Sequence, residues 1–170
     1  MRQKNREVTD QNEILEIMRR CDVCRLALND EGYPYIIPLN FGLKCNEEGI
    51  TLIFHSALEG TKLDLIKKDN RASFEMDCKH ELQYFEEIGR CTMAYESVIG
   101  KGRVFILDEK EKAEALQLLM DQYHPGKHAY YNPAAISRTA VYILKVETVT
   151  GKRKLPKGVS VNDNNTDKLL

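Results

Sequence analysis

The chain has 170 residues, 42% of them hydrophobic and 30% charged, which suits one sizeable core and is too short to expect two independent ones. Its 25 basic and 26 acidic residues nearly cancel, which argues against non-specific capture of nucleic acid or of an anionic membrane. The charged start MRQKNREVTD, apolar runs no longer than Ala140 to Leu144 and five scattered cysteines lead us to expect a cytoplasmic protein with reduced thiols.

Asp10 with Glu13 has capping-box spacing, and Ile14, Leu15, Ile17 and Met18 recur at helical intervals, which predicts a short amphipathic helix to about Arg20. Cys24 to Leu28 alternates, Asn29 to Gly32 supplies turn chemistry, and Tyr35 to Phe41 alternates again, so a hairpin is expected. Ile50 to Ser56 is expected to continue the meander as a third strand, with His55 and Ser56 on opposite faces. Thr61 to Lys68 predicts a helix with Thr61 as its cap.

Arg71 to Asp77 returns to strand, with Ala72, Phe74 and Met76 on one face. Cys78 to Glu96 has no clean period, and only its ends are assigned as strand. Val98 to Leu107 is a β run in which Gly100 and Gly102 predict a bulge or a close approach. Asp108 and Glu111 cap a second long helix with a buried stripe of Leu116, Leu119, Met120 and Tyr123, ending at His124-Pro125-Gly126 and followed by a loop. Thr139 to Thr148 is the last strand, apolar on both faces. Residues 1–156 are expected to form the domain and 157–170 a mobile tail. The count of strands and helices predicts a mainly β fold, an antiparallel barrel with peripheral helices.

Polar groups gather where the third strand gives way to the helix. Lys62 stands in the first helical turn, where a cation opposes the helix dipole at a cost of about 0.3 to 1 kcal/mol. A bound phosphate would compensate, because free N–H groups, the Ser56 and Thr61 hydroxyls and the Lys62 ammonium could converge on it. Charge-assisted bonds contribute roughly 1.5 to 3 kcal/mol each, so three or four would supply much of a micromolar affinity, about 8 kcal/mol. A solvated lysine on a surface helix, with Asp64 completing a cap, is the other reading, and residue types alone leave both open. Pro38 removes a ladder donor and predicts an edge or an irregular path that could turn the Leu39 and Asn40 backbone toward a ligand.

Cys21-Asp22-Val23-Cys24, Cys78 with His80, and His124 with His128 each lack further ligands at useful spacing, so no metal is expected. Gly100-Lys101-Gly102 lacks a third glycine and enters a strand, so a dinucleotide loop is rejected. No Gly-x-Ser-x-Gly elbow or Walker sequence occurs.

The pieces Cys24 to Leu28, Gly32 to Phe41, Phe54 to Ala57, Gly60 to Ile66 and Ser97 to Gly102 resemble, in that order, the pyridoxamine 5′-phosphate oxidase-like FMN-binding split barrels. Within that group they are most similar to the Nim proteins associated with 5-nitroimidazole resistance, over roughly Arg6 to Lys154. The resemblance implies a six-stranded split barrel and a homodimer with FMN at the subunit interface. It puts the phosphate near His55, Ser56, Thr61 and Lys62, the ring edge along Pro38, Leu39 and Asn40, and Tyr95, Ser97 and Val98 on the partner side.

The chain has no tryptophan and so lacks the C-terminal tryptophan and arginine motif of true pyridoxamine phosphate oxidases. Reduction of a small electron-poor substrate such as a nitroimidazole is the implied activity, with His55 as the one candidate acid; a simpler role for His55 is to order the cofactor. The alternatives are a non-catalytic flavin- or haem-binding split barrel, and an interaction protein with a decayed site.

Overall fold

The computed structural model describes residues 3–128 and 130–157. The Asp10 carboxylate accepts from the Glu13 N–H at 2.9 Å and caps α1 (Gln11–Arg20), whose Ile14, Leu15, Ile17 and Met18 are all buried, as the capping box and the spacing require. Two residues upstream, β1 (Glu7–Val8) pairs with the end of the last strand.

The expected hairpin is β2 (Cys24–Asn29) and β3 (Pro34–Leu39), with Leu28 opposite Tyr35. The chain then departs from a simple meander. Phe41 is not part of β3: the strand stops at Leu39, and a separate strand, β4 (Gly42–Asn46), turns through Asn46 to Gly49 into β5 (Gly49–Ala57). Gly42 explains why this strand is hard to see in the sequence. A Cβ there would lie 2.7 Å from the backbone of Leu119, so tertiary contact, not alternation, fixes that residue.

Helix α2 (Thr61–Lys68) buries Leu63, Leu65 and Ile66, but its cap is Gly60, at φ 136°, and Thr61 is its first helical residue, which corrects the expected capping threonine. The segment Cys78 to Glu96 is almost wholly strand. β6 (Arg71–Phe85) and β7 (Arg90–Ile106) form one long hairpin turned at Glu86 to Gly89, with a register shift after Cys78. That shift, and the exposed Leu82, Tyr84 and Met93 along it, break the period that would have marked the strands.

At Gly100 and Gly102 both expected features occur. A Cβ would meet the Phe74 ring at 2.5 Å or the Lys145 carbonyl at 2.0 Å, and the register with the last strand shifts between Lys101 and Gly102. Asp108 and Glu111 form a reciprocal capping box on a 3₁₀ turn that leads into α3 (Lys112–Tyr123); Leu116 and Leu119 are buried, whereas Met120 and Tyr123 are only half-buried. The stretch expected as loop contains α4 (Pro133–Ile136), capped by the Asn132 side chain. β8 (Thr139–Lys154) is six residues longer than its apolar run, and the expected tail lies, beyond Lys157, outside the described residues.

The chain is mainly β, and every strand pair is antiparallel, in the order β3-β2-β6-β7-β8-β5-β4 with β1 on β8. Among the described residues there are thus eight strands, two more than the six expected; β1 is too short to show alternation, and β4 is set by its contact with α3 at Gly42. One buried cluster draws on the path from β2 through β6, β7 and β8 to β5, on Leu26, Phe74, Val98, Tyr142 and Phe54, with α1 and α2 completing it. A sheet can present one face to a shared core over so many strands only by curling. Its edges, β3 and β4, do not pair, so the barrel stays split. A second cluster lies on the opposite face, where Ala115 and Leu116 of α3 cover Ile53 and Val141, which accounts for the two apolar faces of β8.

Candidate cofactor and substrate site

Strand β5 ends at Ala57, and α2 starts four residues later without a side-chain cap. The Leu63 and Asp64 N–H groups donate to the Gly60 carbonyl at 2.9 and 3.4 Å, which leaves the N–H groups of Thr61 and Lys62 without an intrahelical acceptor. Thr61 is exposed and Lys62 half-buried, and Lys62 makes no ion pair among the described residues. Two open N–H groups, a hydroxyl and an unpaired ammonium at a helix start fit an anion. Asp64 does not cap the helix, which corrects that part of the alternative; an unpaired, half-buried Lys62 suits a solvated lysine as well as a bound anion.

As the alternation of β5 requires, Ser56 faces the side of the larger core, to which α2 also contributes, opposite Ala140. Its hydroxyl donates to the Ala57 carbonyl at 2.9 Å. Nearby, the Tyr142 hydroxyl is buried with no hydrogen-bond partner among the described residues, and burial pushes its pKa up to about 12. His55 points the other way. It is exposed and lines a cavity of about 220 Å³ with Leu116, Leu119, Met120, Tyr131 and Ile136. The Tyr131 hydroxyl donates to the Leu116 carbonyl at 2.9 Å and so fixes one wall to α3. The four residues expected around one phosphate are therefore divided: Ser56 is on the α2 side of the strand, and His55 opens on an apolar cavity.

β3 is an edge strand, as Pro38 requires. Tyr35, Ile37 and Leu39 pack on the core, while Pro38 and Asn40 are exposed. Asn40 lies past the strand end and donates to the Asp22 carbonyl at 3.4 Å. The same carbonyl accepts from the Tyr123 hydroxyl at 2.8 Å, and that hydroxyl accepts from the Phe41 N–H at 3.0 Å. The end of α3 thus holds the residues that follow β3.

Tyr95 and Ser97 are half-buried on the outer side of β7, with the Lys152 ammonium 5.4 Å from the Tyr95 ring centre. Val98 is fully buried in the core, on a strand paired on both sides, opposite Met76 and Gly151. Between them Glu96 is buried beneath Arg20 (2.7 Å) and Arg153 (2.7 Å). No three His, Cys, Asp or Glu side chains gather as a metal site among the described residues.

The cavity walls from Tyr131 and Ile136 come from residues 127–138, where the sequence predicts a loop and the structure has α4. Asn132-Pro133, a cap followed by proline at the first helical position, was the available signal.

The sequence profile described as pyridoxamine 5′-phosphate oxidase matches residues 10–153. The chain belongs to that family. Among solved structures, a candidate 5-nitroimidazole antibiotic resistance protein from Bacteroides thetaiotaomicron is 30% identical, with 86% of this chain and 85% of that one covered and a TM-score of 0.75. Two structures of lower identity share the fold: an FAD and heme binding protein from Mycobacterium smegmatis (15% identity, 93% and 78% covered, TM-score 0.78) and the flavocytochrome Anf3 from Azotobacter vinelandii (17%, 100% and 79%, 0.78). A search of curated proteins finds no match. Among the described residues no helix is long and apolar enough to cross a membrane.

Proposed function

We propose that this family member binds FMN and reduces a small electron-poor substrate, such as a nitroimidazole, as a homodimer. The observation that carries the reading is the start of α2: two N–H groups without an intrahelical acceptor and Lys62, unpaired among the described residues, beside the end of β5. An isolated surface lysine there would be a net cost; a phosphate turns it into a binding group. Thr61, Lys62 and Ser56 would hold the phosphate, and Pro38, Leu39 and Asn40, at the end of the edge strand β3, would run along the ring. Two similar structures are described as flavin and heme binding or as a flavocytochrome, and the 30% identical one as a resistance protein, in keeping with this reading.

Bound flavin would supply the electrons. His55 would protonate the reduced product, because it is exposed and opens on the cavity lined by α3 and α4. That cavity, about 220 Å³, exceeds the roughly 150 Å³ that holds benzene in an engineered apolar site, so a five- or six-membered ring with a small substituent fits. The exposed Leu82, Tyr84, Met93 and Ile99 flank Tyr95 and Ser97 on the long hairpin. An apolar surface of that kind needs cover, and a second copy would bring Tyr95 and Ser97, beside the buried Val98, to the cofactor. The five free thiols accord with a cytoplasmic setting.

An absorption spectrum of the purified protein tests the flavin directly. Flavin bands with FMN as the extractable chromophore are expected; a Soret band without flavin would favour the haem reading, and colourless protein that takes up neither would overturn both.

A further inference from the structure

β1 is two residues long and leaves β8 at Lys152, which stands opposite Glu7, although β8 runs on to Lys154 against β7. Gly151 permits the approach, since a Cβ there would lie 2.9 Å from Val8 and 3.0 Å from Ile14. Beyond that contact the 3₁₀ turn Lys4–Arg6 and the end of β8 border a cavity of about 440 Å³, lined by Arg6, Glu7, Glu13, Arg153, Lys154 and Leu155 among others. The side chain of Arg153 is only 11% exposed. Its Nε donates to Glu96 at 2.7 Å and its Nη1 to Glu13 at 2.9 Å, while its Nη2 makes no bond among the described residues. The two carboxylates thus fix the plane of the guanidinium and leave one nitrogen, with two of its five donors, uncommitted.

Two further cations line the same cavity. Arg6 is half-buried, and neither it nor Lys154, which donates to the Thr92 hydroxyl, makes an ion pair among the described residues. Of the two acids present, Glu13 is held by Arg153 and Glu7 is exposed opposite Lys152. The surroundings are electropositive: burial would raise the Tyr95 phenol, yet Lys152, 5.4 Å from its ring centre, and Arg6 bring it below its ordinary value. Three cations gathered in one cavity repel one another. An anion with several acceptor oxygens would relieve that repulsion and accept from all three.

We propose that this cavity binds a phosphate group, as the free anion or as a small phosphomonoester. Arg153 Nη2, the Arg6 guanidinium and the Lys154 ammonium would be its donors, since planar guanidinium forks match phosphate oxygens. Leu155 offers an apolar wall for the carbon part of an ester. The site shares no residue with the start of α2, so the inference does not depend on bound flavin.

The test titrates the full chain as purified with inorganic phosphate and, separately, with glycerol phosphate at constant ionic strength, following backbone amide and arginine Nε–H signals by NMR. Saturable shifts at the Arg153 Nε–H and at the Glu7 and Lys154 amides are expected, with a Kd of about 1 mM or below. Arg6→Ala should weaken binding at least about tenfold. Lys62→Ala should leave the shifts in place, which separates this site from the one at α2. Tighter binding of glycerol phosphate would identify an ester as the ligand, and equal affinity the free anion. Shifts that do not saturate, that are confined to Thr61 and Lys62, or that persist undiminished in Arg6→Ala would overturn the proposal.

Discussion

The rings of Phe54 and Tyr142 stack across β5 and β8, with centroids 5.6 Å apart and an interplanar angle of 27°. The stack places the Tyr142 hydroxyl in the core without a partner among the described residues. An unsatisfied buried hydroxyl costs about 1 to 3 kcal/mol. Tyr142→Phe keeps the ring and removes that cost, so urea denaturation of the flavin-free protein should show stability raised by about 1 kcal/mol. A loss of similar size would mean that the hydroxyl has a partner.

Glu96 joins three elements through Arg20, Arg153 and, by way of Arg153, Glu13 (2.9 Å). Its side chain is 4% exposed and that of Arg153 11%, so removing one partner strands a charge. Glu96→Ala should destabilise by about 3 to 5 kcal/mol, read from chemical denaturation. A change below about 1 kcal/mol, the range of surface pairs, would contradict the network's role.

Gly42 lets the backbone of α3 rest on β4. Gly42→Ala forces the helix away and should cost about 1 to 3 kcal/mol by overpacking. Because α3 also walls the His55 cavity, a small aromatic probe should bind the variant more weakly than the wild type. Unchanged stability and binding would show that α3 can shift freely.

Asp69 accepts from the Arg71 side chain at 2.7 and 2.9 Å, from the Arg71 N–H at 3.1 Å and from Asn29. Those bonds, the Arg71 side chain first, hold its carboxyl well below the usual range. A depressed carboxyl stabilises the fold above its unfolded pKa and loses that contribution as pH falls through the folded one. The stability difference between wild type and Asp69→Asn should thus be constant from neutral pH down to about pH 5 and shrink below about pH 4. A difference that does not vary with pH would mean that the charge contributes nothing.

Elements whose signal is local were legible in the sequence. The Asp10 capping box, the Ala72, Phe74 and Met76 face and the two-sided apolar run of β8 each report a nearest-neighbour rule that the fold obeys. Where tertiary contact decides, the sequence was silent: β4 is held by α3 against Gly42, and the outer half of the β6–β7 hairpin carries apolar residues on a face that the described chain leaves exposed. The site divides in the same way. Lys62 was recognisable because it breaks a local rule, and alternation alone turned His55 away from Ser56. The cavity it faces depends on α3 and α4, which are more than fifty residues away.

The central claim, that the start of α2 holds the phosphate of a flavin, is tested most directly by titrating the flavin-free protein with FMN and with riboflavin, which lacks the phosphate, while following flavin fluorescence. FMN should bind at least about tenfold more tightly, and Lys62→Ala should remove most of that advantage, since one charge-assisted bond contributes roughly 1.5 to 3 kcal/mol. Equal affinity for the two ligands, or an FMN preference that survives Lys62→Ala intact, would contradict it.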